Sequence, residues 1–352
     1  MQTFIQFMSE GGNIRVGDIA AEPIIMSKVN RTKLVKELIS NLLELNKEFE
    51  KVNGMKIWDN ESFLTSGKVF SGSSQHFINL DISDEDYAKH KTETGDIDVQ
   101  VSDQIEALLH SFFKTHKKFG SMTYLGQSAS AIGQISSLFN FQGMNVQIDF
   151  EFVEVGKNGM PTPWSSFSRS SDWKDIEGGI KGVMHKFAIA CLDHAFTDTI
   201  KLQKGKRKPT VTKTEVHFFA FSVKNGLRPK YRLIDGSKDV WEAIPPKEGV
   251  YSTDIQDIFK TLFKKSPSKS DIKNFNSFIG IIDLVKKNFS AKEAAKFNKA
   301  FTEFLFGKGA QKLYRGRPDK DAEVKMAAIN HIEKELKIKK NSALIDGYYK
   351  SY

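Results

Sequence analysis

Two stretches of the sequence alternate strictly between apolar and polar residues, and a period of two belongs to a strand rather than a helix. The first is Gly95-Asp96-Ile97-Asp98-Val99-Gln100-Val101. The second runs from Asn145 to Val155, with Val146, Ile148, Phe150 and Phe152 on one face and Gln147, Asp149 and Glu151 on the other. Each stretch has a face that demands burial, so the fold must contain a sheet with a core behind it. The strand reading also carries chemistry. Asp96 and Asp98, at i and i+2, project from the same face. If the two strands pair, Asp149 joins them. Carboxylates that close repel one another unless a cation lies between them. Hard oxygen donors on a rigid element suit Mg2+ or Mn2+.

Helical periods mark other segments. Asn30 is a good N-cap, Leu34, Leu38, Leu42, Leu45 and Phe49 form one face, and Asn53-Gly54 ends the run. Ser102 or Asp103 opens a second helix with Ile105, Leu108, Leu109 and Phe112 inward. From about Asp175 to His194 a helical period passes through Ile180, Val183, Met184, Phe187 and Cys191. Gly178, Gly179 and Gly182 within it suggest a close approach. The acidic stretch Asp81–Glu93 reads as an exposed insertion. Strand-like runs at Val216–Val223 and Tyr231–Asp235 meet across Asn225-Gly226. Beyond the connector Ser266–Ser270 come amphipathic patterns such as Phe275/Phe278/Ile279/Ile282 and Phe297/Ala300/Phe301/Phe304. The expected class is α+β, a mixed sheet with flanking helices followed by a mainly helical C-terminal domain. The expected divisions are a candidate targeting peptide at 1–12, a catalytic domain at 13–200, a basic segment with strands at 201–265, and the helical domain at 266–352.

The net charge of +9 is unevenly spread, at −7 over residues 1–200 and +16 over residues 201–352. An acidic half suited to metal precedes a basic half suited to phosphate, and Lys201–Lys208 alone holds five Lys or Arg. Such a balance attracts nucleic acid or nucleotides without choosing between them. No run of about 18 apolar residues occurs, so no membrane partner is expected. The single Cys191 reads as a small core residue, and a reducing, cytoplasmic setting fits it.

Taken together, Gly72-Ser73, Asp96-Ile97-Asp98 and Ile148-Asp149-Phe150 resemble the polymerase β-type nucleotidyltransferase superfamily. Its pattern is a Gly-Ser turn, an Asp-x-Asp strand and a third Asp between apolar residues on a later strand. The resemblance covers roughly residues 60–155 and the helix after them. It implies that Asp96 and Asp98 ligate two divalent metals, and that Asp149 ligates the catalytic one and orients the attacking hydroxyl. Gly72, Ser73 and Ser74 would meet the phosphates of a nucleoside triphosphate. The gap between the Gly-Ser turn and Asp-x-Asp is about twice the usual one, and segment 79–94 accounts for the excess. The implied reaction moves a nucleoside monophosphate onto an acceptor hydroxyl. The basic second half makes an RNA end, such as a tRNA 3′ end, the leading acceptor over a protein or a small molecule. Two other classes remain: a non-catalytic nucleic-acid-binding head protein on this scaffold, against which the retained acidic triad argues, and a metal nuclease using the same three acids.

Further candidates carry two readings each. Lys181 and Lys186 reach the triphosphate or are ordinary surface lysines. Arg169 sits in a hydroxyl-rich turn that binds phosphate or simply caps a helix. Glu151 competes with Asp149 as the third acid. His185 and His194 lack zinc-ligand spacing, and His76 and His90 read as surface residues. At the N-terminus, Thr3, Phe4, Phe7 and Met8-Ser9-Glu10 resemble capsid-targeting peptides of internal head proteins in large tailed phages, with Met8 where Leu or Ile is usual. This implies cleavage after Glu10 and an enzyme packaged in the virion and delivered to the host. The alternative is a helical N-terminus with two buried phenylalanines.

Overall fold

The structure, a computed structural model, describes residues 14–128, 133–192, 199–203, 212–222, 226–235, 240–244, 252–308, 310, 312–314 and 317–351. The targeting-like N-terminus, the basic residues 204–208 and His194 lie outside the described residues. The chain forms two compact units, Met1–Gly182 and Val183–Tyr352. The class is mixed α and β. Among the described residues no helix is long and apolar enough to cross a membrane.

The first unit is built on helix α1 (Arg31–Asn53). The Asn30 side chain accepts the Lys33 amide at 2.8 Å, and Gly54 ends the helix in the left-handed conformation. Its expected face is buried from Leu34 to Phe49. After a one-turn helix at Ser62–Thr65 come α2 (Ser74–Ile78) and α3 (Asp84–His90). Next comes strand β1 (Asp96–Ser102), then helix α4 (Glu106–Thr115). Strands β2 (Lys118–Phe119), β3 (Met122–Gln127), β4 (Gln134–Phe141) and β5 (Met144–Val153) complete the sheet. The strand order is β1-β5-β4-β3-β2, with β1 and β5 parallel and the other pairs antiparallel.

Both alternating stretches are strands, and they are neighbours. Ile97, Val99 and Val101 share a core with Val146, Ile148, Phe150 and Phe152. The polar faces are covered as well. Gln100 and Gln147 are each 3% exposed, and the Gln100 amide donates to the Ser165 carbonyl. Ser102 caps the turn into α4, whose inward residues are Leu109, Phe112 and Phe113 together with Ile105 just before it. Leu108 is exposed instead, because the face has rotated toward Phe113.

The acidic stretch 81–93 is exposed at Asp81, Ser83, Glu85, Asp86, Lys89 and Thr92, as its composition suggests, but it is anchored to the core. Tyr87 of α3 is fully buried. Arg31, 2% exposed, donates to Asp84 and to the carbonyls of His76, Phe77, Asn79 and Ile82. One guanidinium thus gathers the turn after α2 and the start of α3 onto α1. The single helix expected from Asp175 to His194 is also interrupted. A short helix, Trp173–Glu177, stops at Gly178, Gly179 takes φ +69°, and a second helix runs Val183–Leu192. That left-handed turn is what the paired glycines permit.

In the second unit, strands Thr199–Gln203, Thr212–Ser222, Gly226–Asp235 and Val240–Ile244 form an antiparallel sheet in sequence order. Helices Ile255–Phe263, Lys269–Phe275, Phe278–Asn288, Ala291–Phe306, Pro318–Leu336 and Ser342–Lys350 follow. Ser268 and Ser290 each open their helix with a capping box. Cys191 is buried.

Candidate metal centre

In the parallel register Asp98 stands opposite Asp149, Asp96 opposite Gln147 and Gln100 opposite Glu151. Residues in register on neighbouring strands share a face, so the three aspartates converge. One carboxylate oxygen from each of Asp96, Asp98 and Asp149 lies within 4.8 Å of the others. Among the described residues this is the one group of three or more ligand-type side chains so arranged. Asp96 and Asp98 are half-buried, and Asp149 is buried. Two unit charges 4.8 Å apart repel by about 3 kcal/mol at an effective dielectric of about 20. Asp149 registers that cost. Burial first, then the Asp96 charge, lift its carboxyl well above the usual carboxylate range. The Gln147 amide, donating to both oxygens at 3.0 Å, and the Ser136 hydroxyl pull the other way. A cation held between the oxygens removes the repulsion. The donors are oxygen alone, with no His or Cys, which favours Mg2+ or Mn2+ over zinc.

The Gly-Ser turn lies against this group. Gly72 has φ +55°, and a Cβ built on it would stand 2.9 Å from Asp98 Oδ2. The backbone here is pinned from several sides. Ser71 N–H donates to the Asp98 carbonyl at 3.2 Å, and Asp98 N–H donates to Ser74 Oγ at 2.9 Å. Ser74 is therefore a fully buried pin for Asp98, its hydroxyl engaged by the strand. The Gly72 N–H donates to the Arg169 carbonyl at 2.7 Å, so this amide is committed within the fold. Ser73 is half-buried, and its hydroxyl accepts from Lys91. We predict that Gly72→Ala weakens Mn2+ binding at least about tenfold, because the methyl group displaces Asp98 and the backbone is strained by about 1–3 kcal/mol. Titration calorimetry of variant and parent reads this directly.

Lys91 is the residue that sequence reasoning missed. It follows α3, inside the segment taken for a solvated insertion. Burial pulls its ammonium down to about 8, although Asp96 and Asp98 favour the charged form. Lys181 is close enough to lower it further. Lys91 thus borders the carboxylates, with Lys181 near enough to act on it. The available signal was a lysine a few residues ahead of an Asp-x-Asp strand, hidden among acidic neighbours.

No family model, no curated protein and no solved structure matches the chain. The remaining candidates sort by geometry. Glu151 accepts from Ser71 Oγ at 2.5 Å and pairs with the Arg169 guanidinium at 3.2 Å. The competing acid and the candidate phosphate-binding arginine thus neutralise each other beside the Gly-Ser turn. Lys186 belongs to the second unit. His185 also lies there, fully buried, with Nε2 2.9 Å from the Phe275 carbonyl, and burial lowers its pKa to about 4. His76 is half-buried rather than a surface residue, and its Nε2 lies 2.8 Å from the Ser171 carbonyl. A cavity of about 410 Å³ lies in the second unit, bordered by Phe306, Lys308, Lys312 and Tyr348. It has no part in the aspartate group.

Proposed function

We propose that this chain is a metal-dependent nucleotidyltransferase that moves a nucleoside monophosphate from a nucleoside triphosphate to an acceptor hydroxyl. The observation that carries the proposal is the register of β1 and β5, which sets Asp98 opposite Asp149 with Asp96 alongside. The mixed sheet would then be the catalytic core of the polymerase β type. The Gly72 turn against Asp98 supports the same reading, because a side chain there would fill space beside the carboxylate.

Asp96, Asp98 and Asp149 would hold the Mg2+ or Mn2+ ions. When bound, such ions supply charge stabilisation at the transferring phosphoryl group and a more acidic attacking hydroxyl. Lys91 borders the same carboxylates, with Lys181 in electrostatic reach of it, and the two would neutralise phosphate oxygens there. Gln147 orients Asp149 by donating to both of its oxygens. Of the expected phosphate-binding residues at the Gly-Ser turn, Ser73 is the best supported, and Lys91 joins it, since the Gly72 amide and the Ser74 hydroxyl are already engaged. The excess of positive charge over residues 201–352 favours an RNA end as the acceptor, with a protein or small molecule next. The phage-like N-terminus adds a virion-packaged enzyme to this proposal.

The test is incubation with labelled nucleoside triphosphates and Mg2+ or Mn2+, with and without RNA. Label transferred to RNA, to the protein or to a small acceptor supports the reading and names the acceptor. Transfer that survives Asp96→Ala with Asp98→Ala would sink the mechanism. Shortened RNA would identify a nuclease. Salt-sensitive RNA binding without turnover would identify a non-catalytic binder.

A further inference from the structure

A cluster of rings beside the Lys91–Ser73 contact takes no part in the function proposed above. Trp173 opens the short helix Trp173–Glu177 and is half-buried. Its indole meets Tyr87 at 5.9 Å and 25°, His90 at 5.8 Å and 82°, and His76 at 5.4 Å and 53°. Tyr87 is fully buried, and its hydroxyl lies 3.0 Å from Thr94 Oγ1, so it backs the indole firmly from the core side. His76 is fixed by the Ser171 carbonyl, and both histidines keep part of their surface accessible. The indole is therefore held in place while remaining partly exposed.

Its position in the fold is informative. His90 directly precedes Lys91, and His76 lies on α2, which begins directly after Ser73. The chain neighbours of both partners in the Lys91–Ser73 contact thus pack on one indole. The two rings that flank the indole and the ammonium–hydroxyl pair lie on the same two backbone segments, with Trp173 packed against both rings from a third. A ligand that satisfies both has a planar ring at one end and phosphates at the other.

We propose that Trp173, flanked by His90 and His76, is the stacking platform for the base of the nucleotide whose phosphates lie toward Lys91 and Ser73. The inference rests on the nucleotidyltransferase reading and deepens it by assigning the base subsite. Stacking suits a platform that selects for a base without choosing among bases, since every base has a π-face. Burial lowers the His76 pKa below its ordinary value, which favours the neutral ring.

The experiment compares two probes in the presence of Mn2+. One is a nucleoside triphosphate with a methylene in place of the α–β bridging oxygen, so that nothing turns over. The other is inorganic tripolyphosphate. The nucleotide should quench tryptophan fluorescence, tripolyphosphate should compete for the site without quenching, and Trp173→Phe should remove the signal. Trp58 and Trp164 are 2% and 4% exposed and poor reporters of a bound base. Nucleotide affinity should fall about 5- to 150-fold in Trp173→Ala, with tripolyphosphate affinity unchanged and binding kept in Trp173→Phe. His90→Ala should weaken the nucleotide alone as well. Equal affinity of the two probes, no quenching and no effect of either substitution would overturn the base subsite and leave the nucleotidyltransferase reading standing. Failure of both probes to bind would overturn that reading, and the subsite with it.

Discussion

Asp149→Asn should lower nucleotide transfer by about a thousandfold or more while making the metal-free protein more stable. The loss follows from removing one ligand of a cation asked to supply several kcal/mol of transition-state stabilisation. The gain follows from the electrostatics of the bare triad. Asp149 has a folded pKa above its unfolded value, so above about pH 4 the native state keeps a proton that the unfolded chain has released. Stability therefore falls as pH rises through that window. Asparagine has no charge to lose, so the variant should hold its stability where the parent declines, by up to about 3 kcal/mol near pH 9. Added Mn2+ should raise the melting temperature of the parent and flatten its pH dependence, and should do neither for the variant. Thermal unfolding across pH, with and without Mn2+, checks all of this. A variant that melts lower than the parent without metal, at every pH, would contradict the account of the triad as a strained group of like charges.

The second large effect is expected far from this chemistry. Lys325 and Asp321, one turn apart on the helix Pro318–Leu336, pair at 3.2 Å with side chains 1% and 0% exposed. The Lys325 ammonium also donates to the Leu305 carbonyl at 3.0 Å and to the Tyr348 hydroxyl at 2.7 Å. Asp321 accepts the Leu313 amide at 2.6 Å. One ion pair thus fastens three helices and the chain between them. Lys325→Met should destabilise the protein by about 3–5 kcal/mol, because it leaves a buried carboxylate without its cation. Lys325→Met combined with Asp321→Asn should recover part of that loss. The pH dependence has its own sign. Burial lowers Lys325 to about 8 in the folded state, below its ordinary 10.5. Between those values the unfolded chain holds a proton that the folded chain lacks, so this group makes stability rise with pH across the interval. Denaturant unfolding of both variants from about pH 7 to pH 10 would reveal the slope, which should vanish with Met at 325.

The parts of the molecule that sequence made legible are those in which one segment carries its own pattern. Helix α1 announced its cap, its face and its glycine stop. The strands announced themselves by alternation, and with them the common face of Asp96 and Asp98. What stayed hidden depended on partners distant in the chain. Asp81–Glu93 looks solvated until Arg31, on another helix, holds the Ile82 carbonyl and the Asp84 carboxylate and Tyr87 turns inward. Lys91 was overlooked for the same reason. The pairing of Asp98 with Asp149 was a condition rather than a deduction, since period two gives a face but not a neighbour. Gly178, Gly179 and Gly182 together suggest a close approach; Gly182 does lie close against Ser171, whereas Gly179 serves a left-handed turn.

Parallel pairing of β1 and β5 has a consequence for the order of events during synthesis. Neighbouring parallel strands need a long connection, and here it contains α4 and β2 to β4. Asp96 and Asp98 leave the ribosome well before Asp149, and β5 can dock only after the connection has been made. A growing chain therefore has no three-carboxylate grip on divalent ions until this sheet is complete. Closing so distant a contact is slow, because the loop entropy precedes the reward. The cation would then be the last component to join, and its arrival would seal an already folded sheet.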